Sequence, residues 1–126
     1  MMTRDSFNAF CASLPATFQV VQWGGSTVWK VGNAEQSKVF AIAGLGNGSQ
    51  PGYTFKVSPI AYEMLREEPG LRPAPYLASR GMKWIQQYED PGLGEADLKA
   101  YLAESHRLAS RNLTKKLQRA LGLNQD

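Results

Sequence analysis

Two sets of basic residues in this chain are spaced as if to do chemistry. Lys30, Lys56 and Lys83 each fall in a short segment whose side chains alternate between two faces, and Gln22 and Gln87 share their phase. If those segments are neighbouring strands, three ammonium groups project from one side of a sheet. Arg107, Arg111, Lys115 and Arg119 recur every four residues, the interval that stacks side chains along a helix face. Like charges so placed oppose an isolated helix by about 0.2 to 0.5 kcal/mol per pair, and an anion along the ridge would relieve that. Both sets suit contact with phosphates, where each cation acts through electrostatics and counterion release and reads no base. Plainer readings stand beside this one. Lysines are ordinary on the wet face of an antiparallel sheet. Cations near a helix C-terminus gain about 0.3 to 1 kcal/mol from the macrodipole, which accounts for Lys115, Lys116 and Arg119 better than for Arg107.

The motifs of common catalytic sites are missing from the sequence: it has no P-loop, nucleophile elbow or zincin helix. Gly44-Leu45-Gly46-Asn47-Gly48 follows a predicted strand, but Ser49-Gln50-Pro51-Gly52 cannot open a helix at once. No helix N-terminus therefore waits for a pyrophosphate, and a hairpin tip is expected. Cys11 is the single cysteine and His106 the single histidine, too few for a disulfide or for a His/Cys metal site. Cys11 lies on the apolar side of a predicted helix, while His106, beside Arg107, is expected at or near the surface. The expectation is a non-enzymatic protein with no catalytic residues, no metal and no cofactor.

The elements that must position these residues come from a chain of 126 residues, 43% apolar and 20% charged. That suits one domain over residues 1–126 with a single packed core. Fourteen Lys and Arg against eleven Asp and Glu give a formal charge of +3, which permits an anionic partner without requiring one. The distribution says more: Ser105 to Gln125 holds no acidic residue, whereas Glu89, Asp90, Glu95 and Asp97 cluster just before it. The apolar stretch Val39 to Leu45 is far shorter than the roughly 18 to 20 residues a bilayer span needs, and the N-terminus lacks a signal-like apolar run. A cytoplasmic location without membrane contact is expected.

Thr3 can cap a helix through about Leu14, with Phe7, Phe10, Cys11 and Leu14 on one face. Thr17 to Trp23, Thr27 to Val31, Lys38 to Gly44 and Tyr53 to Val57 read as strands separated by glycine-rich turns. Ser58-Pro59 starts a short helix through about Glu68. Leu71 to Arg80, with Pro73 and Pro75, reads as extended and irregular, and Met82 to Tyr88 as a further strand with Met82, Trp84 and Tyr88 turned toward the helices. From Glu95 to Leu121 there is no glycine or proline, which predicts one helix about 40 Å long. The order, approximately α-β(3-4)-α-β(1-2)-α, predicts an α+β fold: an antiparallel sheet with helices on one face.

The segment Leu71-Arg72-Pro73-Ala74-Pro75-Tyr76-Leu77, followed by Arg80, Lys83 and Trp84, resembles the signature region of the MmcQ/YjbR family. Thr27-Val28-Trp29-Lys30-Val31 with Lys38-Val39-Phe40-Ala41 is similar to that family's paired strands, and Leu98 to Leu117 to its closing helix, with Ser105 in the matching place. The resemblance spans about Phe7 to Leu117. It implies an α+β fold of the secretion-chaperone-like type, also likened to frataxin-like domains and to a double-wing DNA-binding domain, in proteins commonly called DNA-binding. It carries over Arg72, Tyr76, Arg80, Lys83 and Trp84 as matched positions. His106 departs from the tyrosine usual after the serine, and the hairpin tip Gly46 to Gly52 carries no charge. The same residues also admit a packing role, with Tyr76 and Trp84 in the core and Arg72 or Arg80 paired to Glu67 or Glu68.

Together these readings anticipate a protein that contacts duplex DNA mainly through phosphates, using Lys30, Lys56, Arg72, Tyr76, Arg80, Lys83, Trp84, Arg107 and Arg111. The alternative is a protein-interaction or regulatory module, with aromatic or exposed apolar anchors and a charged ridge that steers association.

Overall fold

The first two helices start where a side chain accepts a backbone N–H that the first turn leaves unpaired. Thr3 Oγ1 accepts from Ser6 N at 3.1 Å and opens α1, Arg4–Ser13. Ser58 Oγ accepts from Ala61 N at 3.2 Å and opens α2, Pro59–Leu65. A computed structural model describes residues 2–22, 24–44, 52–75, 77 and 81–125. Within them run six strands: β1 Thr17–Gln22, β2 Ser26–Gly32, β3 Ser37–Ala43, β4 Tyr53–Lys56, β5 Leu71–Pro73 and β6 Trp84–Gln87. They form one open antiparallel sheet in the order β1-β2-β3-β4-β6-β5. The α+β expectation holds. Part of the segment expected to be irregular is β5, an edge strand, where a proline's missing N–H breaks no ladder bond.

Residues directly opposed in an antiparallel pair share a face, so the registers sort the sheet. Ala41, Phe55 and Ile85 are matched across three strands, and Ala43, Tyr53, Gln87 and Leu71 across four. This face meets the helices and joins Phe7, Leu98 and Leu102 in the core. Tyr53 stacks on Phe7 with centroids 4.7 Å apart and donates its hydroxyl to Met2 O at 2.7 Å. Trp29 belongs to the same core and donates Nε1–H to Asn8 Oδ1.

A bulge interrupts the β2–β3 ladder: Trp29 opposes Ala41 while Lys30 opposes Val39, which leaves Phe40 without a partner across β2. On its other side Phe40 also lies beyond the β3–β4 ladder, which starts at Ala41 and Phe55, and a helix fills that gap. The Ser105 hydroxyl donates to Phe40 O at 2.6 Å and accepts from Lys56 N at 2.8 Å, so one side chain bridges β3 and β4.

Three expectations need correction. The long C-terminal helix is two: α3, Glu95–Ser110, and α4, Lys115–Ala120. Thr114 ends the continuity without glycine or proline, because its Oγ1 accepts from Leu117 N and its own N–H donates to Gln36 Oε1 at 2.9 Å. The phase of β6 is also the reverse of the expected one. Ile85 and Gln87 face the helices, while Trp84 opposes Lys56 on the other side; of the buried Gln87 amide, Oε1 accepts from Leu93 N at 2.6 Å, whereas Nε2 has no partner among the described residues. Finally His106 is buried, 7% exposed, with Nε2 at 2.8 Å from Pro15 O and its ring edge-on to Phe40. Burial holds its pKa below the ordinary histidine value, and the Pro15 contact opposes that in part.

Candidate functional site

The sheet surface turned away from the helices gathers part of the expected site. Val28, Ile42, Thr54, Gln86 and Arg72 form one row across five strands, and Lys30, Lys56 and Trp84 follow the same phase on that face. Lys30 and Lys56 stand two strands apart with β3 between them and have no carboxylate partner among the described residues. Arg72 donates Nε–H and Nη2–H to Gln86 Oε1, at 2.9 and 2.7 Å, and its guanidinium lies 4.3 Å from the Tyr88 ring centroid. Its partners are thus Gln86 and Tyr88 rather than Glu67 or Glu68. Trp84 is 4% exposed and packs within this side of the sheet; its Nε1–H has no partner among the described residues.

Lys83 does not join them. It shares the phase of Ile85, and its Nζ sits 4.8 Å above the ring of Tyr62, a core residue of α2. The expected row of three lysines is therefore a pair, and the third cation of that face is Arg72. Tyr76, Arg80 and the hairpin tip 45–51 lie outside the described residues.

The second basic set lies across the molecule. Residues Leu98, Leu102 and Ala109 seat α3 on the core side of the sheet, so Arg107, exposed on α3, and Arg111, exposed at its C-cap, have the sheet between them and Lys30. The break before α4 changes what the four cations can do. A straight ridge would present them to a flat surface. The bend instead wraps Arg107, Arg111, Lys115 and Arg119 around a recess of about 510 Å³, completed by Gln118, Asn124 and Gln125. Asn124, in the left-handed region at φ 57, donates Nδ2–H to Ser110 Oγ and to Gln118 Oε1, both at 2.9 Å. That fixes the C-terminal turn as one wall of the recess. Sequence reasoning found the four basic residues but not the recess, since neither Thr114 nor the distant Gln36 signals a bend.

Arg107 forks onto both carboxylate oxygens of Glu104. The pairing holds the Glu104 carboxyl below its usual range and raises Arg107, first through the hydrogen bond and then through charge. Arg111, Lys115 and Arg119 make no ion pair among the described residues. Cys11 is fully buried and its thiol is pushed up to about 12 by burial, which removes it from nucleophilic chemistry near neutral pH. Among the described residues no group of three or more His, Cys, Asp or Glu side chains could hold a metal ion, and no helix is long and apolar enough to cross a membrane.

A family model for YjbR proteins matches residues 12–108. The chain belongs to the YjbR family. Two solved structures share its fold. A Deinococcus radiodurans protein with a DUF419 domain is 24% identical, with a TM-score of 0.85 over 98% of this chain and 90% of that one. A Pseudomonas syringae protein is 21% identical, with a TM-score of 0.67 over 86% of this chain and 99% of that one. Comparison with curated proteins gives no match. The YjbR match covers the sheet lysines, Arg72, Lys83, Trp84 and Arg107 and stops before Arg111, Lys115 and Arg119, so it carries no information about most of the recess.

Proposed function

We propose that this YjbR-family protein is a cytoplasmic, non-enzymatic binder of duplex nucleic acid that contacts phosphates and discriminates little between base sequences. The observation that carries the reading is the group of four exposed cations at the α3–α4 bend, of which, among the described residues, only Arg107 has a carboxylate partner. Phosphate contacts of this kind give affinity that falls steeply with salt and is indifferent to base identity. Lys30 and Lys56, on the far face, add long-range attraction more than direct contact.

The test is a salt titration of affinity for two duplexes of unrelated sequence. Both should bind alike, and Arg111→Ala/Lys115→Ala/Arg119→Ala should flatten the dependence by about one unit of log K per log salt for each lost contact. No retention of wild-type protein on either duplex at low salt, or an unchanged slope in the triple variant, overturns the reading.

One observation favours a protein-interaction module instead. On α2, Ile60 and Met64 are 76% and 63% exposed, one helical turn apart. Apolar side chains grouped in this way mark contact surfaces. That reading predicts a specific partner whose capture is lost in Ile60→Lys/Met64→Lys and is indifferent to the triple substitution at the bend.

A further inference from the structure

The recess at the α3–α4 bend has a shape and donor set that narrow its ligand. Resting on the reading of that recess as a phosphate site, we propose that it takes doubly charged phosphate groups, a terminal phosphate monoester or a short oligophosphate, in preference to the singly charged diesters of a continuous backbone.

The first argument is shape. Phosphates along an uninterrupted duplex form a convex ridge, whereas Arg107, Arg111, Lys115 and Arg119 line a half-open hollow bounded on one side by the C-terminal turn. The wall is held rather than loose: Gln118 Nε2 donates to Leu113 O at 2.8 Å, and Asn124 is fixed to Ser110 and Gln118. A chain end or a free chain can enter such a hollow. Its volume, about 510 Å³, lies within the range of small-ligand sites.

The second argument is the donor set. Among the described residues the lining is three arginines, one lysine and three amides, with no acidic and no aromatic side chain. No aromatic platform among the described residues stacks a base there, so base contact is limited to the guanidinium faces and phosphate contact dominates. Guanidinium forks instead match the terminal oxygens of phosphate in paired hydrogen bonds. A monoester carries about −1.5 to −2 charge at neutral pH and three terminal oxygens, against a single charge on a diester. Four cations around one hollow therefore reward the monoester more.

The third argument is what already occupies the site. Glu104 is an internal anion at the rim, holding Arg107 by two hydrogen bonds. An incoming phosphate competes with that carboxylate for Arg107, so Glu104 weakens binding as the site stands.

The experiment uses the full chain and two probes at constant ionic strength: tripolyphosphate by calorimetry, and one blunt duplex carrying either 5′-phosphate or 5′-hydroxyl ends by fluorescence anisotropy. Tripolyphosphate should bind one per chain, at least tenfold more weakly in Arg111→Ala/Lys115→Ala/Arg119→Ala, unchanged in Lys30→Ala/Lys56→Ala, and several-fold more tightly in Glu104→Gln. The phosphorylated duplex should bind several-fold more tightly than its hydroxyl counterpart. Tripolyphosphate binding without any end preference supports the site and assigns it to a free oligophosphate; end preference alone assigns it to a nucleic-acid terminus. Tripolyphosphate binding with no binding of either duplex supports the site and removes the nucleic-acid reading. Equal affinity for both duplex ends together with no binding of tripolyphosphate, or tripolyphosphate binding that survives the triple substitution, overturns the proposal while leaving duplex binding to be judged by its own salt slope.

Discussion

Replacing Ser105 by alanine should be among the most damaging single-atom deletions in this molecule. The hydroxyl is fully buried, donates to Phe40 O at 2.6 Å and accepts from Lys56 N at 2.8 Å. Alanine preserves the helix and nearly the volume, so the loss is confined to two backbone groups left without partners between β3 and β4. An unsatisfied buried polar group costs about 1 to 3 kcal/mol. Lys56 is only partly buried, which places its N–H toward the low end, and the two together come to about 3 kcal/mol. For a chain of this size that lowers Tm by roughly 10 °C. The assay is urea unfolding with the m-value checked for constancy. Ser13→Ala is the control, because its hydroxyl bonds Phe10 O from an exposed position at the end of α1 and should change stability by less than about 0.5 kcal/mol. A loss below about 1 kcal/mol for Ser105→Ala would refute the reasoning: it would mean that β3 and β4 close up and pair Phe40 C=O with Lys56 N–H directly.

Further outcomes follow from the same structure. Because burial depresses the folded pKa of His106, its neutral form is the native one, so its contribution to stability is fully present above its ordinary pKa of 6.5 and declines as pH falls below it; in His106→Phe the stability between about pH 5 and 7 should lose that slope, measured by denaturation at each pH. Cys11, fully buried with its thiol pushed up to about 12, should resist alkylation at pH 8 until the chain opens, so the labelling rate reports opening and should track denaturant concentration. Trp29→Phe should cost about 1 kcal/mol more than Trp84→Phe, since the Trp29 indole N–H has a partner to lose, Asn8 Oδ1 at 2.9 Å, and the Trp84 N–H has none among the described residues.

What was legible in the sequence depended on whether the deciding partner was local. The starts of α1 and α2 were readable because Thr3 and Ser58 cap helices whose first turns lie three residues away. The strands before Val57 were readable because glycine-rich turns separate them. The α3–α4 break was not, because Gln36, the acceptor that takes the Thr114 N–H, lies 78 residues away in the chain. The face of β6 was misread for a related reason. Alternation of Met82, Trp84 and Tyr88 imitates a core face, but Gln87 can be buried once the Leu93 N–H supplies a partner, and hydropathy does not register such a partner. His106 followed the same logic through the carbonyl of Pro15. Of the candidate site, the basic residues were visible one by one. Their partition to opposite sides of the sheet required the register between Lys56 and Trp84 and the seating of α3.

The position of β6 in the sheet sets an order of assembly. The strands β1 to β4 are consecutive neighbours and can zip as a meander, but β6 must slot between β4 and β5, and α3 follows it in the chain. The Lys56 amide gains its acceptor only when α3 has docked and delivered the Ser105 oxygen. In a pulse-labelling refolding experiment that single amide should therefore acquire protection later than those of β2 and β3, a built-in clock for the closing of the sheet.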